Sequence, residues 1–237
     1  MIQIQGCYTA IVTPFRDGQL DEVALRELVE AQIAGGVDGL VPVGTTGESP
    51  TLDFEEHEKV IDTVIETAAG RVPVIAGTGG NATEEAIRLT RHAKESGADA
   101  TLQVTPYYNK PTQEGLYRHF SEVADKGGLP VVLYNVPGRS GREIAVETVA
   151  RLAKNSGVAA VKEAGGSVDR VSAILNCCDI TVVSGDDSLT LPMMSVGARG
   201  VISVASNLVP ERVSAMVHAA LEGKWDETRR AHYELYD

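Results

Sequence analysis

The sequence predicts an α/β protein built as a (β/α)8 barrel, and three observations carry that prediction. Short apolar runs recur roughly every 25 to 30 residues along the chain, with the length and flanking turn residues of buried parallel strands. Each run is followed by a stretch with helical apolar periodicity. Eight such units are present, the number that closes a parallel sheet into a barrel.

The predicted strands, in chain order, are Cys7–Phe15, Gly39–Gly44, Val72–Thr78, Ala100–Pro106, Pro130–Val136, Val158–Ala164, Ile180–Gly185 and Gly200–Ser206. Helical patterns occupy 21–35, 53–69, 83–96, 113–126, 145–155, 168–177, 188–197 and 210–222. Thr51 or Asp53 ahead of Glu55-Glu56, and Asn81 three residues ahead of Glu84, are expected helix caps. Gly35-Gly36, Gly97 and Gly157 are expected to end helices in the left-handed conformation. The open doubly wound sheet is the alternative, and its support is Gly77-Thr78-Gly79-Gly80-Asn81-Ala82, a loose G-x-G-x-x-A match. The match falls on the third unit, and the next acidic candidate, Asp99, precedes its strand. It therefore reads as a glycine-rich turn with an Asn cap.

Composition narrows the function. A net charge of −12 and a pI near 4.9 argue against a nucleic-acid partner. No stretch is long and apolar enough for a membrane span, and the N-terminus has no signal-peptide pattern, so a cytoplasmic location is expected. Three cysteines make no disulfide framework, and five histidines show no metal-ligand spacing, so no metal is expected.

Catalytic residues of such a barrel belong at the C-terminal strand ends. Lys162 is the only one of seven lysines inside an apolar, strand-like run, Val158-Ala159-Ala160-Val161-Lys162-Glu163-Ala164. Burial disfavours an ammonium, so this amine should be free near neutral pH, as imine chemistry with a carbonyl requires. The structural alternative is a lysine that snorkels from the strand end or pairs with a carboxylate. Tyr134 shares a strand face with Val132 and Val136 and can point into the barrel beside Lys162, or serve as an ordinary core tyrosine. Gly44-Thr45-Thr46-Gly47-Glu48 offers backbone N–H groups and two hydroxyls for a carboxylate, or makes a plain tight turn. Arg139, after Pro137-Gly138, suits a carboxylate clamp or the open surface. Strand alternation turns Glu163 away from Lys162, which reads as structural.

Together, Gly44–Glu48, Tyr107-Tyr108-Asn109, Tyr134-Asn135-Val136-Pro137-Gly138-Arg139 and Val161-Lys162-Glu163 resemble the pyruvate-dependent class I aldolase superfamily of N-acetylneuraminate lyase. Within it they are most similar to the 4-hydroxy-tetrahydrodipicolinate synthase family. The resemblance runs from Gly6 to the end of the chain. Thr45-Thr46 and Arg139 favour the synthases over sialic acid lyases, which usually carry Ser-Thr in the first motif and lack this arginine.

The resemblance implies that Lys162 forms a Schiff base with pyruvate while the Thr45-Thr46 turn holds its carboxylate. Tyr134 would shuttle protons, with Thr45 linking it to Tyr108 in a relay toward solvent. The enamine would attack L-aspartate-4-semialdehyde, held through its carboxylate by Arg139, in the first committed step of diaminopimelate and lysine biosynthesis. Gly185 and Ile202 match positions whose backbone lines the pyruvate pocket, and no external cofactor is required. Ser49, His57, Asn81, Glu85 and Tyr107 match an interface site for feedback by lysine. Pro50 and Phe54 depart from its polar residues, so weak or absent inhibition is expected. A homo-oligomer is also implied, a dimer or dimer of dimers, in which Tyr108 reaches a neighbouring active site. Family members continue into a helical C-terminal domain. Residues 1–223 are accordingly expected to form the barrel, and 224–237 the start of that helical region, with assembly or stability weakened by the short ending. A neighbouring 2-keto-3-deoxy sugar acid or N-acetylneuraminate aldolase, an inactive barrel and a dinucleotide-binding oxidoreductase are the other readings.

Overall fold

The computed structural model describes residues 2–236. All eight predicted strands are present: β1 (Gly6–Ala10), β2 (Gly39–Val41), β3 (Ile75–Gly77), β4 (Ala100–Val104), β5 (Val131–Asn135), β6 (Val158–Glu163), β7 (Thr181–Ser184) and β8 (Gly200–Ser203). Every ladder between them is parallel, in the order β2-β1-β8-β7-β6-β5-β4-β3. A parallel bridge, Leu40 to Val74, and a bond from Gly77 N to Pro42 O (2.9 Å) join the two ends into a barrel. Helices α1 (Glu22–Ala34), α2 (Phe54–Ala68), α3 (Thr83–Ser96), α4 (Gln113–Gly127), α5 (Val146–Leu152), α6 (Val168–Cys177), α7 (Thr190–Ser195) and α8 (Pro210–Leu221) each follow a strand. A further helix, α9 (Trp225–Glu234), packs beside α8 and lies in the segment expected to be helical.

Strand alternation divides the apolar side chains into two cores. Tyr8, Ala10, Val41, Ile75, Leu102, Val132, Tyr134, Ala160, Val183 and Ile202 fill the barrel. Cys7, Leu40, Ala76, Val131, Leu133, Val161 and Val182 face outward against the helices. The period of two therefore gives each strand end one side chain aimed at the barrel mouth and one buried beneath the helical layer.

Local chemistry explains most boundaries. Asp53 caps α2 in a reciprocal capping box with Glu56, and Thr112 and Ser167 cap α4 and α6. Gly97 ends α3 at φ +101°. Three expectations need correction. Asn81 caps nothing: Ala82 occupies the N-cap of α3 without a side-chain bond, and the Asn81 amide reaches the Tyr107 carbonyl instead. Gly157 does not end α5, which stops at Leu152 with Ala153 as its cap. At the end of α1 the left-handed residue is Gly36 and not Gly35. A short antiparallel ladder, Phe15–Arg16 with Gln19–Leu20, and a one-turn helix, Pro137–Ser140, escaped the sequence because neither spans a full hydrophobic period.

The Gly77–Ala82 glycines have a packing cause. A Cβ on Gly77 would stand 2.2 Å from the Val43 carbonyl oxygen, and one on Gly79 would stand 2.3 Å from Val104 N. Close approach of neighbouring strand ends therefore accounts for both. Among the described residues no helix is long and apolar enough to cross a membrane.

Candidate active site

β5 and β6 run side by side with Tyr134 opposite Lys162 and Asn135 opposite Glu163. The inward pair sits at the barrel mouth. Lys162 is only 4 % exposed, and its Nζ lies over the face of the Tyr134 ring, 4.3 Å from the centroid. Burial lowers the Lys162 pKa to about 8, opposed by the charge of Asp187 and reinforced by that of Arg139. Burial also raises the Tyr134 pKa. The Thr45 hydroxyl, as a donor to the phenolate, and the positive charge of Arg139 both work against that rise.

A cavity of about 270 Å³ opens above the lysine, lined by Thr45, Thr46, Tyr134, Arg139, Lys162 and Gly185 among others. A second, of about 230 Å³, shares Thr45, Tyr134, Val136 and Arg139 with it and extends toward Ser49, Gly79 and Tyr107. One lysine, two threonines, one guanidinium and the Tyr134 phenol thus line the first cavity, and the second adjoins it through their shared residues. Such a set can attack a ketone, move a proton and hold carboxylates.

The turn after β2 is held under strain. Val43, a β-branched residue, adopts φ +47° and Glu48 adopts φ +62°. Such conformations persist only where the surroundings enforce them. Here the Thr13 hydroxyl donates to the Gly47 carbonyl (2.7 Å), and Ser49 N bonds the Gly44 carbonyl (3.3 Å). Gly47 has no room for a side chain, since a Cβ would meet the Ile11 carbonyl oxygen at 2.9 Å.

Gly185 borders the cavity for a similar reason: a Cβ there would stand 2.9 Å from Lys162 Cε. Ile202 is fully buried in the barrel core and lines neither cavity with its side chain. Tyr108 is not brought to Thr45 by its own chain. It is 90 % exposed and adopts φ +70° on the loop after β4.

Ser49, His57, Glu85 and Tyr107 meet around another cavity of about 240 Å³, with Asn81 bonded to the Tyr107 carbonyl at its edge. Phe54 lines this cavity beneath the Arg88 guanidinium, 4.4 Å from the ring centroid. Buried His57 donates from Nε2 to the Gly77 carbonyl (2.8 Å), and burial lowers its pKa.

For two residues at the strand ends, the partners escaped the sequence reading. Asp187, just past β7, accepts hydrogen bonds from Ser203 Oγ (2.5 Å), Val204 N (3.0 Å) and Ala205 N (3.1 Å), and is the anion that acts on Lys162. Glu163 and Asn135, the outward members of the strand-end pairs, are fully buried, and Arg170 packs beside them nearly buried. Two polar residues at outward positions beneath a helix are a signal that a buried partner exists. The sequence gives no way to choose Arg170 as that partner.

The family profile described as "Dihydrodipicolinate synthetase family" matches residues 3–237. This chain belongs to that family. Among its relatives, the 4-hydroxy-tetrahydrodipicolinate synthase of Geotalea daltonii is 57% identical over 98% of this chain and 80% of its own length. The crystal structure of dihydrodipicolinate synthase from Aquifex aeolicus superposes with a TM-score of 0.97 at 52% identity, covering 99% of this chain and 81% of that one. The chloride-inhibited synthase from Acinetobacter baumannii, solved in complex with pyruvate, gives 0.95 at 45% identity, with 98% and 80% covered.

Proposed function

We propose that this chain is a carbon–oxygen lyase that condenses pyruvate with L-aspartate-4-semialdehyde to 4-hydroxy-tetrahydrodipicolinate. The observation that carries the mechanism is Lys162, buried against the Tyr134 ring with its pKa lowered to about 8. At pH 7 roughly one such amine in ten is unprotonated, against fewer than about one in a thousand for an ordinary lysine. The amine adds to the pyruvate ketone, and water leaves to give the imine. Tyr134 moves protons in that addition and in the loss of a methyl proton that makes the enamine. Thr46 and the backbone of the Gly44–Gly47 turn hold the pyruvate carboxylate, with Gly185 and Ile202 supplying the backbone of the opposite wall. The enamine carbon attacks the aldehyde, whose own carboxylate pairs with Arg139 at the pocket mouth. Attack by the substrate's amine on the imine carbon then closes the ring and releases Lys162. The lysine itself is the electron sink, so the cycle uses no external cofactor.

Tyr108 completes the proton relay through Thr45 from a second copy of the chain, which makes a homo-oligomer the working unit. The pocket around Ser49, His57, Asn81, Glu85 and Tyr107 binds L-lysine weakly or not at all. His57 Nε2 is already committed to Gly77, and Phe54 offers no side-chain hydrogen bond.

Borohydride reduction in the presence of pyruvate tests the mechanism. One pyruvyl adduct should appear by intact mass and map to Lys162, and Lys162→Arg should abolish it, because the guanidinium stays protonated. An adduct on another lysine, or none on folded protein, overturns the assignment.

A further inference from the structure

Glu163 carries a carboxylate that is fully buried, on the opposite face of β6 from Lys162. Desolvating such a charge is costly unless every oxygen is bonded. Here every bond leads to a part of the catalytic frame. The Asn135 amide donates to both carboxylate oxygens (2.9 and 3.1 Å), tying the end of β5 to the end of β6 one residue beyond Tyr134 and Lys162, on the outer face of the sheet. Gly165 N donates to Oε1 (2.7 Å), fixing the chain where it leaves β6. Arg170 Nε donates to Oε2 (2.8 Å).

Arg170 reaches further. Its guanidinium also donates to the Ile144 carbonyl and lies 3.3 Å from Glu143. Ile144 N in turn donates to Asn135 Oδ1 (3.0 Å). Ile144 closes the segment that begins at Pro137 and carries Arg139. That segment is therefore clamped at its buried end by both of its Ile144 backbone groups, one to Asn135 and one to Arg170. Nearer Arg139, the short helix is held by Arg139 N and Ser140 N on the Val136 carbonyl (3.0 Å each) and by the Ser140 hydroxyl on the Val136 and Arg142 carbonyls (3.1 and 2.8 Å). The Ile144 clamp therefore fixes where the rest of the segment returns to the sheet. On the exposed side, Gln113 Nε2 to the Glu143 carbonyl (2.8 Å) and Arg142 to the Lys110 carbonyl (3.2 Å) compete with water.

We infer that the buried Asn135–Glu163–Arg170 cluster is a positioning device that sets where Arg139 stands relative to Lys162, with Arg170 holding the Arg139 segment to the sheet. It touches neither substrate. It fixes the separation between the imine-forming amine and the guanidinium that receives the second substrate's carboxylate. This inference rests on the role of Arg139 proposed above. A planar fork is needed for the task, because Nε serves Glu163 while the terminal nitrogens serve Ile144 and Glu143. Lysine can keep the ion pair but cannot bridge to Ile144 at the same time.

Arg170→Lys is the first test, and Gly165→Ala the second, in case the first fails to fold. Gly165→Ala changes no charge, yet its Cβ would stand 2.6 Å from Glu163 Oε1 and 3.7 Å from Pro137 Cδ, so the carboxylate must move. Each variant is assayed as purified, folded protein for KM of the aldehyde, kcat, and the rate of borohydride trapping of pyruvate. The expected result is a KM for the aldehyde raised at least fivefold (about), with trapping within about twofold of the parent; a displaced guanidinium forfeits part of a charge-assisted bond. A purely architectural role would instead lower apparent kcat and trapping together with the folded fraction and leave KM for the aldehyde at the parental value. Parental KM in a folded variant overturns the inference, and so does trapping that falls by as large a factor as KM rises. A parent that condenses the two substrates but loses nothing on Arg139→Ala refutes the role of Arg139 itself. That outcome is distinct from an unresponsive Arg170→Lys in a protein where Arg139→Ala is damaging.

Discussion

The strand ends of β5 and β6 and the loop after β4 both carry residues of the proposed site, and they are built in opposite ways. Tyr134 and Lys162 stand on paired strands, backed across the sheet by a buried ion pair, with nearly no solvent exposure. Tyr108 stands on a loop at positive φ with its side chain almost wholly in solvent. The first arrangement is complete within one chain. The second holds a non-glycine residue at positive φ whose side chain contacts almost nothing of its own chain, an arrangement that fits the proposed role in a second copy's site. Pre-organised chemistry is thus carried on strands, and the residue proposed to act between two copies is carried on a loop.

The largest effects belong to the strand-end side. Arg139→Ala should weaken use of aspartate semialdehyde by tens- to hundreds-fold, roughly the 2–3 kcal/mol of a lost charge-assisted bond, while pyruvate trapping stays near parental. Equal losses in both assays would place Arg139 on the first substrate.

Lys162→Met should stabilise the protein as it abolishes imine formation. Folding lowers the lysine pKa from the ordinary 10.5 to about 8. The unfolded chain therefore binds the proton more tightly, and burial costs roughly 3 kcal/mol below pH 8. That cost shrinks as pH rises from 8 and is gone above 10.5. Urea denaturation should show the methionine variant ahead by up to about 3 kcal/mol at pH 7, with the gap closing by pH 10. A gap independent of pH would mean that the gain is packing and not the buried charge.

Much of this was legible in the chain. The eight strands and helices follow from apolar period and capping residues, and Lys162 stood out as the one lysine in an apolar strand. Alternation along β5 correctly turned Tyr134 inward with Val132, and along β6 it turned Glu163 outward. What the alternation could not supply is the partner of an outward charge. Arg170 lies on α6, and only the packing of α6 against the sheet brings it to Glu163 and Ile144. The positive φ of Val43 was equally hidden, because a β-branched residue is the last that local propensity would place there. Gly185 was matched to the pocket by resemblance, whereas its reason is steric and visible only in three dimensions.

Gly185→Ala probes that reason with a smaller effect. The added methyl would stand 2.8 Å from Ala164 Cβ and 2.9 Å from Lys162 Cε, so the lysine must leave its rotamer. An off-rotamer side chain costs about 0.5–1.5 kcal/mol, which predicts pyruvate trapping slowed by up to about tenfold. Trapping at the parental rate would mean that the strand ends give way as readily as a loop, and the contrast with Tyr108 would weaken.

The smallest effect on the single chain, and the most informative, is expected at Tyr108. Removing its hydroxyl should change stability by no more than about 0.5 kcal/mol, the range of surface substitutions, because the side chain is 90 % exposed. Hydrogen exchange should agree: the Asn109 and Lys110 amides should exchange fast, and the buried Ile144 amide bonded to Asn135 slowly. Catalysis should nevertheless depend on the hydroxyl if a second copy presents it to Thr45. Mixing Tyr108→Phe with Lys162→Ala separates the two possibilities. In a hybrid dimer with Tyr108 acting across the interface, one site holds both native residues, and activity should rise above that of either parent. With Tyr108 acting within its own chain, no hybrid site is complete. Subunit exchange verified by mass spectrometry without any recovery would therefore show that each barrel works alone, and that the strain at Tyr108 serves some other contact.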